Sequence, residues 1–201
     1  MKYKFTAILF LLITISCAQK KVPADLKTGD IVFQTTESSQ CKAVQLATHS
    51  IYSHCGMIYI INNKTYVYEA VGPVKLTPYE EWVQHGKGSK LVVKRLKNIL
   101  PEESISKMKT VADKYKGKEY DFVFEWSDER IYCSELVYKI YMEGAGIAVG
   151  KVERLKDFDL SHPAVKEKLK ERYGDKIPYE EMVVSPAGIF NSELLYTVFQ
   201  N

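Results

Sequence analysis

Cys133 stands at the start of a predicted helix, in Ile131-Tyr132-Cys133-Ser134-Glu135-Leu136-Val137. A helix N-terminus carries about half a positive charge and N–H groups without partners, which favour thiolate over thiol and can hold an oxyanion. That is the setting of a nucleophilic thiol; the alternative is a small buried hydrophobe, a common fate of free cysteine. A nucleophilic thiol needs a base, and the chain offers His49, His54, His85 and His162. His162 precedes Pro163 in a polar loop and His85 lies in the turn Gln84-His85-Gly86-Lys87-Gly88, so both read as solvated. His54 opens a strand, Cys55 to Ile61, that turns through Asn62-Asn63-Lys64 into a second, Thr65 to Val71. With a two-residue Asn62-Asn63 loop, His54 falls opposite Val71, and Glu69 is on the same face two residues away. Such diagonal neighbours are about 7–8 Å apart at Cα, within reach of a His–Glu hydrogen bond. An Asn63-Lys64 loop keeps that face, whereas a three-residue loop reverses it. Glu69 then orients His54, and His54 serves Cys133, as a triad. Two other readings remain open: a surface His–Glu pair of little energy, or a zinc site on His49, His54 and Cys55 that lacks a fourth ligand at the usual spacing.

These residues need a scaffold. Asp30 to Gln34 reads as a strand opened by Gly29, and Ser38 as the cap of a short helix running to about Ala47. Pro78 to Val83 starts like a helix, Lys90 to Leu96 reads as a strand, and Pro101 to Lys116 as a helix stopped by Gly117. Tyr132 to Glu143 is apolar on Leu136, Val137, Ile140 and Tyr141, and Gly144 and Gly146 close it. Residues 165–172 suggest a charged, exposed helix, and Ser185-Pro186 breaks the apolar tail from Met182 to Phe199. The pattern implies one α+β domain over residues 28–201, with a mostly antiparallel sheet packed against helices.

The first residues read differently. Met1-Lys2-Tyr3-Lys4 is basic, Phe5 to Ile15 is nearly all apolar, and Ser16-Cys17 follows. Eleven residues make roughly 16 Å of helix, too short for a hydrocarbon core of about 30 Å, so residues 1–16 are expected to be a signal peptide. The box Thr14-Ile15-Ser16-Cys17 resembles a loose bacterial lipoprotein signal. It makes Cys17 the lipidated residue and residues 17–27 the tether, and it places the protein outside the cytoplasm on a membrane. In a Gram-negative source, the periplasmic face of the outer membrane is expected. Cys41, Cys55 and Cys133 remain, an odd number that leaves at least one free thiol. Across 201 residues, 46% are hydrophobic and the formal charge is +3 with mixed signs, which excludes a disordered chain and does not suggest a nucleic-acid partner.

Four segments, Gly29-Asp30-Ile31-Val32-Phe33, Ser53-His54-Cys55-Gly56-Met57-Ile58, Val67-Tyr68-Glu69-Ala70 and Tyr132-Cys133-Ser134-Glu135-Leu136-Val137, together resemble the permuted papain-like amidases of the YiiX/YaeF type. Gly117-Lys118-Glu119-Tyr120-Asp121-Phe122 and Val184-Ser185-Pro186-Ala187 fit the same family, a circularly permuted branch of the NlpC-type cysteine peptidases. The resemblance implies a circularly permuted papain-like fold with Cys133 as nucleophile, His54 as general base and Glu69 orienting it. It suggests Tyr120 and Tyr132 as neighbours of the substrate, and it implies no cofactor and no metal. Cys55, directly after the histidine, stands where the family is variable and often apolar. The activity implied is hydrolysis of an amide in a peptide, peptidoglycan-related or N-acyl substrate beside an amino group such as lysine's. Asp121, Glu125, Asp128 and Glu129 are candidates for an amine pocket, though such a run is usually a solvated face. The competing expectations are a lipid hydrolase or acyltransferase of the same fold, and a non-catalytic ligand-binding lipoprotein.

Overall fold

The computed structural model describes Pro23 and residues 25–201. The signal peptide, the lipidated Cys17 and most of the tether fall outside the described residues. The chain runs β1 (Ile31–Gln34), α1 (Ser39–Thr48), β2 (His54–Ile61), β3 (Lys64–Ala70), β4 (Val74–Pro78), α2 (Tyr79–His85), β5 (Leu91–Leu96) and α3 (Glu102–Tyr115). It continues through β6 (Glu119–Tyr120), β7 (Arg130–Ile131), α4 (Cys133–Ala145), β8 (Val152–Arg154), α5 (Pro163–Tyr173), β9 (Met182–Val184), α6 (Pro186–Phe190) and β10 (Leu195–Gln200). Six strands form one sheet in the order β10-β5-β1-β2-β3-β4, and every neighbouring pair is antiparallel. No described helix is long and apolar enough to cross a membrane.

The β2–β3 hairpin has the two-residue Asn62-Asn63 loop. Both asparagines have positive φ, 48° and 58°, as a turn matching the strand twist requires. Pairing Met57 with Tyr68 and Ile61 with Lys64 sets the register that puts His54 and Glu69 on one face. Alternation along the strands then builds two apolar layers. Ile31, Phe33, Cys55, Met57 and Tyr68 face the larger core, which includes Leu136, Val137 and Ile140 of α4. Val32, Ile58, Val67 and Val93 face Tyr79, Trp82 and Val83 at α2. Each such side chain contributes about 1.5–3 kcal/mol by burial, which ties α4 firmly to the sheet.

Gly144 lets α3 approach α4: a Cβ there would lie 2.6 Å from Met108 Cα, against backbone that cannot give way easily. Gly144→Ala is therefore expected to destabilise the fold by about 2 kcal/mol, read from urea unfolding. Beneath β1, the Arg95 guanidinium binds both oxygens of buried Asp30, at 2.7 and 2.9 Å, while Asp30 accepts the Lys27 N–H at 2.8 Å.

Two elements differ from expectation. Residues 165–172 are helical but not simply exposed, because Val165 and Leu169, one turn apart, are buried and α5 packs on α1. The strand β4 was hidden by the prolines that bracket it, Pro73 and Pro78, yet it pairs along β3 from Tyr66 to Ala70.

Candidate active site

The first turn of α4 is fixed from both sides of Cys133. Tyr132 is the extended residue before the helix, and its N–H is accepted by the Glu135 carboxylate at 3.4 Å. Its hydroxyl accepts the Val184 N–H at 3.1 Å, while the Ser134 hydroxyl donates to the Val184 carbonyl at 2.8 Å. Strand β9 thus clamps the residues flanking the thiol. Cys133 itself is buried, at 4% exposure, at the helix end where N–H groups lack intrahelical partners.

His54 begins β2 with Nε2 2.6 Å from Glu69 Oε2, and both side chains are buried. That contact leaves Nδ1 free, and Cys133 is the neighbour that most favours the charged ring. The other Glu69 oxygen accepts the Thr77 hydroxyl at 2.5 Å, so β4 supplies the group that holds the carboxylate. The Trp82 ring lies 6.1 Å from the His54 ring, tilted by 30°, and screens the pair from water. Burial alone would lower the basicity of His54, but hydrogen bonds and attraction from Cys133 and Glu69 raise its pKa to about 10. Cys133 is held well below its ordinary value by the hydrogen bond from Cys55 first, against burial, and then by His54. Glu69 is also lowered: burial opposes ionisation, and the bonds from His54 and Thr77 outweigh it. All three shifts favour a thiolate–imidazolium pair backed by a carboxylate, the arrangement needed for nucleophilic attack near neutral pH.

Thr77 and Trp82 had no sequence signal, since both belong to elements whose placement depends on the sheet. Replacing Thr77 by Val leaves one oxygen of a buried carboxylate unpaired. We expect kcat/KM to fall about tenfold with KM little changed, measured by steady-state kinetics on any competent substrate.

The remaining candidates are dispersed. Tyr120 accepts the Gln40 side-chain N–H at 2.8 Å, and Cys133 and Cys41 both act on its phenol. Tyr132 lies in the wall of the cleft described below, but its hydroxyl is engaged by β9. Asp121 is fully buried and accepts the N–H groups of Val123 and Glu125, shaping the loop between β6 and β7. Asp128 is held by Lys114, Lys139 and the Tyr115 hydroxyl, and Glu125 and Glu129 are exposed. None of these four carboxylates lines the cleft. His85 is exposed, and His162 accepts the Ala164 N–H as the cap of α5. His49 is largely exposed and bound to Asp159 at 3.1 Å, so it does not join His54 and Cys55 in a zinc site.

A cleft of about 730 Å³, including the part open to solvent, begins at Cys133. Its wall is mostly hydrocarbon, with Ala43, Val44, Phe124, Leu155, Val165 and Leu169 among the lining side chains. Its charged residues are Lys168 and Arg172. Lys168 pairs with Glu171 at 2.5 Å, whereas Arg172 rests over the Phe124 ring, 4.5 Å from its centre, with no carboxylate ion pair among the described residues.

A buried cysteine at a helix start, a histidine on an antiparallel sheet earlier in the chain and a carboxylate bound to that histidine have the layout of a papain-like site in permuted order. The chain belongs to the permuted papain-like amidase family: residues 25–199 match the family described as permuted papain-like amidase enzyme, YaeF/YiiX, C92 family. It is 55% identical over 172 residues to the uncharacterized protein YiiX of Escherichia coli, covering 86% of this chain and 85% of that one. The crystal structure titled metalloprotein yiiX, from Escherichia coli O157:H7, superposes with a TM-score of 0.85 at 54% identity, over 87% of this chain and 97% of that one. Membership supports a cysteine peptidase or amidase type of function. The metal in that title belongs to that protein; among the described residues here, no three His, Cys, Asp or Glu side chains converge to hold an ion.

Proposed function

We propose that the protein is a thiol amidase acting on N-acyl substrates with a long apolar acyl chain, and that the chain lies in the cleft beside Cys133. The observation that carries this reading is the cleft itself: apolar, lined by the nucleophile, and carrying cations rather than carboxylates. An amine pocket needs the opposite charge, so an anionic group on the substrate, facing Arg172, fits better than the side chain of lysine.

The steps follow from the site. The Cys133 thiolate attacks the amide carbon, and the oxyanion is met by the free N–H groups at the start of α4. His54 delivers its proton to the departing nitrogen as the thioester forms. Water, deprotonated by His54, then releases the carboxylic acid and restores the thiolate. Glu69 keeps the ring in place through both steps.

The test compares anilides of one leaving group with acetyl and dodecanoyl chains. Burial of methylenes is worth up to about 0.8 kcal/mol each, so the longer chain should raise kcat/KM by at least about a hundredfold. Equal rates for the two would overturn the reading. Turnover of a dodecanoyl ester far above that of the matched anilide would favour a lipid hydrolase of the same fold. We further propose that the protein works from a membrane surface through lipid on Cys17. Radiolabelled palmitate should enter the wild type and not Cys17→Ala.

A further inference from the structure

Cys55 adjoins the proposed mechanism without entering it. It follows His54 in β2, so its side chain points to the opposite face of the sheet from the histidine. That face is the larger core, where Cys55 is fully buried together with Cys133, Ile131 and Tyr132. The base therefore reaches the nucleophile from one side of the strand, and a second thiol reaches it from the other. Strand β2 packs against α4, and Cys55 is the neighbour that acts most strongly on the Cys133 thiol, through both its side chain and its backbone. Packing alone asks only for a small apolar side chain at this position. Cys41 is engaged elsewhere, with its sulfur 2.6 Å from the Thr36 hydroxyl oxygen.

We propose that Cys55 is a resolving thiol, which captures Cys133 as a reversible disulfide when hydrogen peroxide oxidises the nucleophile. In the first step the Cys133 thiolate attacks the peroxide oxygen; the O–O bond breaks and water leaves after protonation, giving a sulfenic acid. In the second, the Cys55 sulfur displaces the hydroxyl from Cys133, the S–S bond forms, and the Cys55 proton leaves with the hydroxyl as a second water. One peroxide is reduced and two thiols are oxidised. Burial and the adjacent thiolate keep Cys55 protonated, so Cys133 is the sulfur that meets the oxidant. A sulfenic acid without a neighbouring thiol proceeds to sulfinic and sulfonic acids, which a dithiol does not reverse. With Cys55 beside it, the nucleophile is parked in a form that reduction restores.

This inference rests on Cys133 being a reactive thiolate and not on the identity of the substrate. The full chain is treated with hydrogen peroxide, then with dimedone and N-ethylmaleimide, and its peptides are weighed. The wild type should give a Cys55–Cys133 cross-linked peptide, two hydrogens lighter than the separate peptides, and dithiothreitol should restore alkylation of Cys133. Cys55→Ala should give the dimedone adduct and, without dimedone, sulfinic acid, while Cys41→Ser should behave as the wild type. Sulfinic acid in the wild type with no cross-link, or a cross-link to Cys41, would overturn the proposal even if Cys55→Ala failed to fold. A Cys133 that iodoacetamide alkylates readily but that peroxide never cross-links would overturn it alone. A Cys133 inert to both reagents would overturn the nucleophile reading as well.

Discussion

Cys133→Ala is expected to abolish turnover, by about five to six orders of magnitude in kcat, while the chain still folds. In the proposed mechanism the sulfur forms the acyl-enzyme, and its thiol is the nucleophile whose ionisation is tied to that of His54. The α4 N–H groups and the cleft remain in the variant, so substrate should still bind with a dissociation constant near that of the wild type. The substitution removes one atom from a packed position, with a loss of about 1 kcal/mol at most offset by release of a buried charge. It also removes one of the two anions that hold the His54 proton. Glu69 alone then opposes burial, and the ring's pKa should drop below the wild-type value of about 10. Turnover, equilibrium binding and histidine titration by NMR measure the three consequences separately. Turnover persisting in Cys133→Ala would remove the thiol from the chemistry and leave the permuted fold as a binding pocket.

The pairing of His54 with Glu69 was legible because its signal is local. Asn62-Asn63 sets a two-residue turn, the turn sets the register, and the register alone decides that Glu69 shares a face with His54. The start of α4 was legible from its apolar spacing and from the extended residue before it. What sequence could not reveal was the material supplied from far along the chain. Thr77 bonds Glu69 only because β4 pairs beside β3 in a segment that its flanking prolines disguise. The clamp from Val184 to Tyr132 and Ser134 crosses about fifty residues, and nothing local announces it. The charged run before Cys133 shows the reverse error in reading. Asp121 and Asp128 are fully occupied in holding their own loop and neighbouring lysines, while the charge that faces the cleft comes from α5, whose lysines and arginine read as a solvated surface. Val165 and Leu169 turn that helix inward and carry Arg172 to the cleft with them.

The pH dependence of Cys133 alkylation should show the second large effect. At about pH 6 an ordinary cysteine with a pKa near 8.5 is roughly 0.3% thiolate. Cys133 is held well below that range, so its reaction with iodoacetamide should slow far less between about pH 8 and about pH 6 than that of an ordinary thiol. His54→Ala removes a hydrogen bond and a positive charge, leaving Cys55 to oppose burial. The rate at about pH 6 should fall about a hundredfold, and the gap should close above about pH 9, where an ordinary thiol ionises unaided. Stability carries the same signature. Between the depressed pKa of Cys133 and about 6.5, the unfolded chain binds the additional proton, so stability rises with pH. From about 6.5 to about 9 the unfolded chain has a neutral histidine and a protonated thiol, the folded one an imidazolium and a thiolate, and the proton counts match. Above that, the folded state keeps a proton on His54 that the unfolded state has lost, and stability declines as pH passes about 10. His54→Ala should flatten both limbs, and urea unfolding across the range measures them. Alkylation of His54→Ala at the wild-type rate near pH 6 would mean that the helix N-terminus and Cys55 hold the thiolate by themselves, with His54 left as a proton carrier only.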